Sequence, residues 1–345
     1  MEGYLSYCLD SLIVANHRDL LEVLIVNDGS KDRTIEIAYE YEDRYPDLFH
    51  VINKDNGNYG SCINAGLPQS SGKYIKVLDA DDSFDTINFD LFISFLIHID
   101  TDLILSDIEV VDVNRAHLRT VSYNSIIKGT LPFIKICESD AFIEAIQMHA
   151  VTYKREMLVN MNYHQTEGIS YTDQQWIFTP MIMVKNVAYF NKTVYRYLVG
   201  REGQTMDPNV KLRSMAHAIK NSFGLVYDYE NHKKGIIGEG VRNYLYSRLS
   251  WYIKDIYVFY ICHYNKDNAL ILREYDRELK VLSPEIYDMV GTKEISSFYG
   301  FAYLDYWRKH KIPIMLARVV GRIYKALLDF KARKKVKTNN LSIGN

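Results

Sequence analysis

The stretch KYIKVLDADDSF, Lys73 to Phe84, runs from an extended apolar segment straight into three carboxylates, Asp79, Asp81 and Asp82. Residues two apart on extended chain face the same side, so Asp79 and Asp81 are expected to converge on one ligand. Like charges at a strand tip repel unless a cation or hydrogen-bond donors offset them. Hard oxygen ligands select Mg²⁺ or Mn²⁺, and such an ion is typically completed by substrate phosphates. The plainer alternative is a solvated turn and helix cap, where Asp is common.

Working outward, the preceding chain alternates. A helical stretch, Gly3 to Ile13, precedes the strand LEVLIV, the turn NDGSKD and the helix RTIEIAYEYEDRY, which ends before Pro46. A strand at Leu48 to Asn53, a Gly/Asn loop and a short helix at GSCINAGL lead back to KYIKVL. Strands alternating with helices predict an α/β domain with a mostly parallel sheet covered on both faces. In such sheets ligands bind at the carboxyl ends of strands. Asp28, in VNDGS, occupies a second such end. The loop KDNGNYGS, Lys54 to Ser61, has glycines that let backbone approach a ligand, and it feeds a helix N-terminus that favours anions.

Beyond the acidic turn, Asp107 to Leu131 reads as irregular and partly polar. Strand-like pieces return at MHAVTYK, NVAYF and TVYRYLV, and a helix starts near Asp173. After Pro208 the apolar spacing is helical to about Phe330. The expected organisation is therefore a domain at 1–207 and a helical region at 208–345. A chain of 345 residues with net charge −2 and 48% hydrophobic residues is globular and lacks the basic excess of a nucleic-acid binder. Cys8, Cys62, Cys137 and Cys262 have no paired spacing, which reads as free thiols of a reducing compartment. With no apolar run of transmembrane length and no basic-then-apolar N-terminus, a cytoplasmic location is expected.

Taken in order, LIVNDGSKDRT, NGNYGSCINAGL, GKYIKVLDADDSF and SYTDQQW resemble the family 2 glycosyltransferases of GT-A fold, over roughly Met1 to Asp207. The resemblance implies inverting transfer of a sugar from a nucleotide-diphosphate donor, most often a UDP-sugar, to a hydroxyl of a glycan or lipid-linked glycan acceptor in cell-surface polysaccharide synthesis. By position, Asp28 corresponds to the uracil-contacting acid and Asp79 to the residue near the ribose. Asp81 corresponds to the ligand of Mn²⁺ or Mg²⁺ on the diphosphate, Asp82 to an extra structural acid, and Asp173 to the general base. Arg201, on the Gly-flanked loop GREGQT, has the geometry to clamp a diphosphate. His149 reads as a hydrogen-bonded core histidine, and Trp176 as core beside Ile177 and Met181.

Members of that family begin with an apolar strand ending in a segment like VPVYN. Here Met1 enters directly into the following helix, so Met1 is expected to be an internal methionine with that strand encoded upstream; without it, unpaired strand edges are expected. At the other end, residues 311–337 carry nine Lys/Arg and one Asp around an apolar helical stripe. That pattern suits a helix lying on an anionic inner membrane surface, or a packing helix with a solvated tail. Two other functions fit parts of the pattern. DADD resembles the Asp-x-Asp of haloacid-dehalogenase-like phosphatases, although those place it on the first strand. A truncated, inactive relative could also serve as a membrane-associated scaffold.

Overall fold

The computed structural model describes residues 1–170, 172–201, 215–236, 238–298 and 300–312. Helix α1 (Leu5–Asp10) buries Leu5, Cys8 and Leu9. Strand β1 (Val23–Asp28), helix α2 (Thr34–Arg44) and strand β2 (Phe49–Lys54) follow. Helix α2 stops at Tyr45, where Pro46 disfavours helical backbone in the residue before it. Strands β1 and β2 pair in parallel, with Val23 opposite Phe49 and Asp28 opposite Lys54. Helix α3 (Asn58–Gly66) packs on β1. Next come β3 (Tyr74–Ile75), β4 (Ser83–Phe84) and α4 (Thr86–Ile97), whose cap is the Asp85 carboxylate accepting from Asn88 N–H.

The spine of the domain is β5 (Leu103–Val111), buried at eight of nine positions because LILSDIEVV is apolar on both faces where it meets neighbours. After it come β6 (His117–Val121), β7 (Thr130–Pro132), α5 (Phe133–Cys137), α6 (Asp140–Ala145), β8 (Val151–Lys154), α7 (Arg155–Asn160), α8 (Asp173–Trp176) and β9 (Asn186–Leu198). The main sheet has the order β3-β8-β5-β9-β4, with β6 on β5 and β7 on β9. Its layers of helix and strand are those of the expected α/β architecture. The sheet is mixed rather than mostly parallel, however: β5 and β9 run parallel, and the other pairs in it are antiparallel.

Three local expectations change. The two short strands NVAYF and TVYRYLV are one strand, β9, whose register shifts against β5 near Asp107 let it continue past Asn191. The stretch Asp107 to Leu131 is ordered into the end of β5 and the β6 hairpin. The strand KYIKVL is paired only at Tyr74–Ile75. Among the described residues no strand precedes β1, and the β1–β2 pair stands apart from the seven-stranded sheet. Among the described residues Lys76 to Leu78 has no ladder partner.

By compactness the chain divides into two units. The first holds residues 1–202 and 232–245, the second 203–231 and 246–345. The described part of the second is mainly helical, with one short antiparallel pair at Ser297–Phe298 and Phe301–Ala302: α9 (Met215–His232) and α10 (Glu239–Cys262) contribute to it, followed by α11 (Lys266–Leu282), α12 (Pro284–Gly291) and α13 (Tyr303–His310). Helix α11 buries Ala269, Leu272, Tyr275, Asp276 and Leu279 on one stripe. The buried Asp276 carboxylate accepts from Arg308 Nε at 3.0 Å, Lys311 Nζ at 3.0 Å and Tyr257 Oη at 2.9 Å. Among the described residues no helix is long and apolar enough to cross a membrane. Of the basic segment 311–337, residues 313–337 lie outside the described ones, as does the boundary expected at 207.

Candidate active site

The acidic turn is built by hydrogen bonds that a strand tip alone would not supply. Asp82 N–H donates to Asp79 O at 3.0 Å, closing the turn. The Tyr195 hydroxyl from β9 accepts from Asp79 N–H at 3.2 Å and donates to Asp82 Oδ2 at 2.6 Å. Leu198 N–H donates to Asp82 Oδ1 at 2.7 Å. Asp82 is fully buried, and burial pushes its carboxyl up to about 8 despite these bonds. It therefore braces the turn against β9.

Desolvation, then the charges of Asp81 and Asp173, push the Asp79 carboxyl up to about 7, against the Tyr59 hydroxyl and Arg201. Asp81 Oδ2 accepts from Arg201 Nε at 2.5 Å, across 120 positions of sequence. The structure thus brings Asp79, Asp81, Asp173 and Arg201 into one electrostatic cluster.

Asp173 opens α8 and is half-buried. Desolvation raises its carboxyl above the usual range, against a bond to its own backbone N–H. A helix N-terminus alone would lower it, but α8 has four residues and little dipole, so burial prevails. The loop before it is clamped by α3. Asn64 exchanges bonds of 2.8 Å with the Gln165 backbone, and Gln165 Nε2 donates to Thr172 Oγ1 at 2.7 Å. Thr166 N–H donates to Gln175 Oε1, and Gly168 N–H to Gly57 O, both at 2.8 Å. Sequence reading missed Asn64, Gln165, Tyr59 and Tyr195; neutral hydrogen-bonding residues in an apolar pattern carry no distinguishing signal.

Asp28 sits at the end of β1. Its Oδ1 accepts from Lys54 Nζ at 2.7 Å, Gly57 N–H at 2.8 Å and Ser61 Oγ at 3.2 Å. Desolvation opposes these bonds, which still hold its carboxyl below the usual range. The glycines serve geometry here: Gly29 has φ +68°, and a Cβ on it would lie 3.0 Å from Asn56 N. Helix α3 lies between this acid and the acidic turn. Its Cys62 thiol is pushed up to about 11 by burial and, further down, by both Asp28 and Asp79.

His149 departs from the core reading. Its ring lies tilted against Tyr195 and Tyr197, with centroids 4.7 and 4.4 Å away, and Nε2 lies 4.0 Å from Asp79 Oδ2. Nδ1 is buried with no hydrogen-bond partner among the described residues, and burial pushes the imidazole down to about 4. Asp79, Asp82 and His149 offer ligand atoms within 4.8 Å of one another. Both Asp82 oxygens already accept hydrogen bonds, and the Asp79 carboxylate has the Tyr59 hydroxyl as a partner. Trp176 is buried with Ile177 and Met181, as expected of core.

A mixed α/β sheet with carboxylates gathered at a turn beyond a strand end, and a half-buried acid opening a later helix, is the arrangement that the resemblance to the family 2 glycosyltransferases implies. Residues 2–147 match the Glycosyl transferase family 2 profile. The Escherichia coli K12 protein YibD, an uncharacterized glycosyltransferase, is 23% identical over 199 residues, 55% of this chain and 56% of YibD. GgaB of Bacillus subtilis 168, a minor teichoic acid biosynthesis protein, is 24% identical over 240 residues, 68% of this chain and 26% of GgaB. The chain thus spans about half of the one relative and a quarter of the other. Among solved structures, residues 1–349 of S. aureus TarS in complex with UDP-GlcNAc superpose with TM-score 0.64 at 16% identity, covering 94% of this chain and 88% of that one. The shared fold is GT-A, which leaves the phosphatase alternative without structural support.

Proposed function

We propose that the protein is an inverting glycosyltransferase that moves a sugar from a UDP-sugar to a hydroxyl of a cell-surface polysaccharide or its lipid-linked precursor. The observation that carries the proposal is the convergence of Asp79, Asp81 and Asp173, with Arg201 bonded to Asp81. The family match supports the reaction class. TarS, whose fold this chain shares, was solved with UDP-GlcNAc, which supports a UDP-linked donor, and GgaB supports the polysaccharide setting.

In this reading Asp28 contacts the base, Asp79 the ribose, and Arg201 the diphosphate. The carboxylates suit a divalent cation, because burial and then the charges of Asp81 and Asp173 hold Asp79 up to about 7, and a hard cation offsets both. Asp81 would hold Mn²⁺ or Mg²⁺, and such an ion stabilises charge on a diphosphate leaving group. Asp173 accepts the proton of the acceptor hydroxyl as its oxygen bonds to the anomeric carbon and the bond to the diphosphate breaks. Its raised pKa strengthens it as a base once ionised. A single displacement inverts that carbon without a covalent enzyme intermediate. The site works at the cytoplasmic membrane face, with segment 311–337 as a peripheral contact.

Calorimetric titration with UDP, with and without Mn²⁺, tests this on the whole chain and on Asp81→Ala. Metal-dependent binding lost in the variant is the expected result. A folded chain that binds no UDP under either condition would instead favour the inactive scaffold.

A further inference from the structure

The turn joining β5 and β6 carries an arginine that sequence reading passed over. Asp112 Oδ1 accepts from Asn114 N–H and Ala116 N–H, each at 2.9 Å, and Arg115 N–H donates to Asp112 O at 2.8 Å. These bonds hold Arg115 at φ +62°, a left-handed conformation that few non-glycine residues adopt. The result is a long side chain directed back over the acidic turn. Its guanidinium lies 4.2 Å from the Tyr7 ring centroid, and Nη2 donates to Asp81 O at 3.2 Å.

One nitrogen of that guanidinium is uncommitted. Nη1 is buried and has no hydrogen-bond partner among the described residues. The hydrogen bond to Asp81 Oδ2 comes from Arg201, while Arg115 bonds the Asp81 backbone carbonyl. Arg201 in turn lies over a second tyrosine of the same segment, 5.9 Å from the Tyr4 ring centroid. Two arginines from different loops therefore flank Asp81, each against an aromatic ring. A buried cationic N–H without an acceptor is costly, so a strained turn that delivers one calls for an anionic partner. The planar fork of arginine matches phosphate oxygens in pairs, which lysine does not.

We propose that Arg115 is a second ligand of the donor's diphosphate, binding its terminal phosphate opposite Arg201. This rests on the glycosyltransferase reading above. The role is one of binding and leaving-group recognition, supplied by the hairpin between β5 and β6.

The test is the ratio of UDP to UMP affinity, measured by calorimetric competition at fixed Mn²⁺ for the wild-type chain, Arg115→Gln and Arg115→Lys. The expected result is a ratio at least tenfold lower in Arg115→Gln, partly restored in Arg115→Lys, with UMP affinity little changed. A folded variant whose ratio equals that of wild type overturns the inference and leaves the glycosyltransferase reading standing. Equal losses for UDP and UMP overturn it as well, since a merely structural arginine acts on both. Failure of both variants to fold has the same meaning. Absence of UDP binding by the wild-type chain overturns both readings together.

Discussion

Arg201 Nε lies 2.5 Å from Asp81 Oδ2, so the carboxylate assigned to the metal is already paired with a cation. A divalent ion and Arg201 then compete for one oxygen, whereas a bound diphosphate gives the arginine a second partner. Arg201→Ala is expected to bind Mn²⁺ three- to tenfold more tightly without nucleotide, and UDP at least tenfold more weakly with it. Calorimetric titration of each ligand separates the two. A parallel loss of both affinities would show that Arg201 only supports the site's structure.

If Asp173 is the base, its removal should strike turnover and spare the donor. Asp173→Asn is expected to leave UDP affinity within about twofold and to lower kcat by about 10²–10⁴. The ionised form is the active one, and desolvation raises the carboxyl's pKa. The acid limb of the wild-type kcat/KM profile should therefore lie above the ordinary carboxylate range. Turnover of more than a tenth of wild type in Asp173→Asn would place the base elsewhere.

Helix α3 has one position at which a single methyl group reaches the base loop. A Cβ on Gly60 would lie 2.2 Å from Thr166 O, so backbone must move. Gly60→Ala is expected to cost about 1–3 kcal/mol of stability, visible as a lower Tm. It should also lower kcat more than it weakens UDP, because the displaced loop leads to Asp173 while Asp28 is untouched. Unchanged stability and turnover would mean that α3 does not set the loop.

Lys76 belongs to the half-strand that has no ladder partner. The residue as a whole is half-buried, but its ammonium donates to His149 O at 2.9 Å and Val151 O at 3.3 Å, and lies 5.9 Å from the Phe84 ring centroid. Desolvation pushes it down to about 7 from 10.5. The unfolded chain then holds more protons between these values, so this residue's contribution makes stability rise with pH from about 7 to about 10. At pH 7 the penalty is nearly full. Lys76→Met should melt several degrees higher than wild type at pH 7, with the gap closing toward pH 10 in paired thermal melts. A gap independent of pH would show that the ammonium is solvated.

Much of the site was legible because its acids sit in local chain features. Asp28 and Asp79 end apolar runs, and Asp173 opens a helix, so each is marked by its immediate neighbours. The sequence by itself determined the α/β class, the alternation through β2 and the identity of the acids, since burial periodicity and turn chemistry act over a few residues. The tertiary structure decided what each acid meets. Tyr195 and Leu198 hold Asp82 from more than a hundred positions away, and Arg201 reaches Asp81 across 120. Those meetings depend on β9 pairing with both β5 and β4. The same pairing made one strand of two apparent ones. Strand pairing is a non-local choice, settled by packing across the sheet, and no short window of sequence contains it.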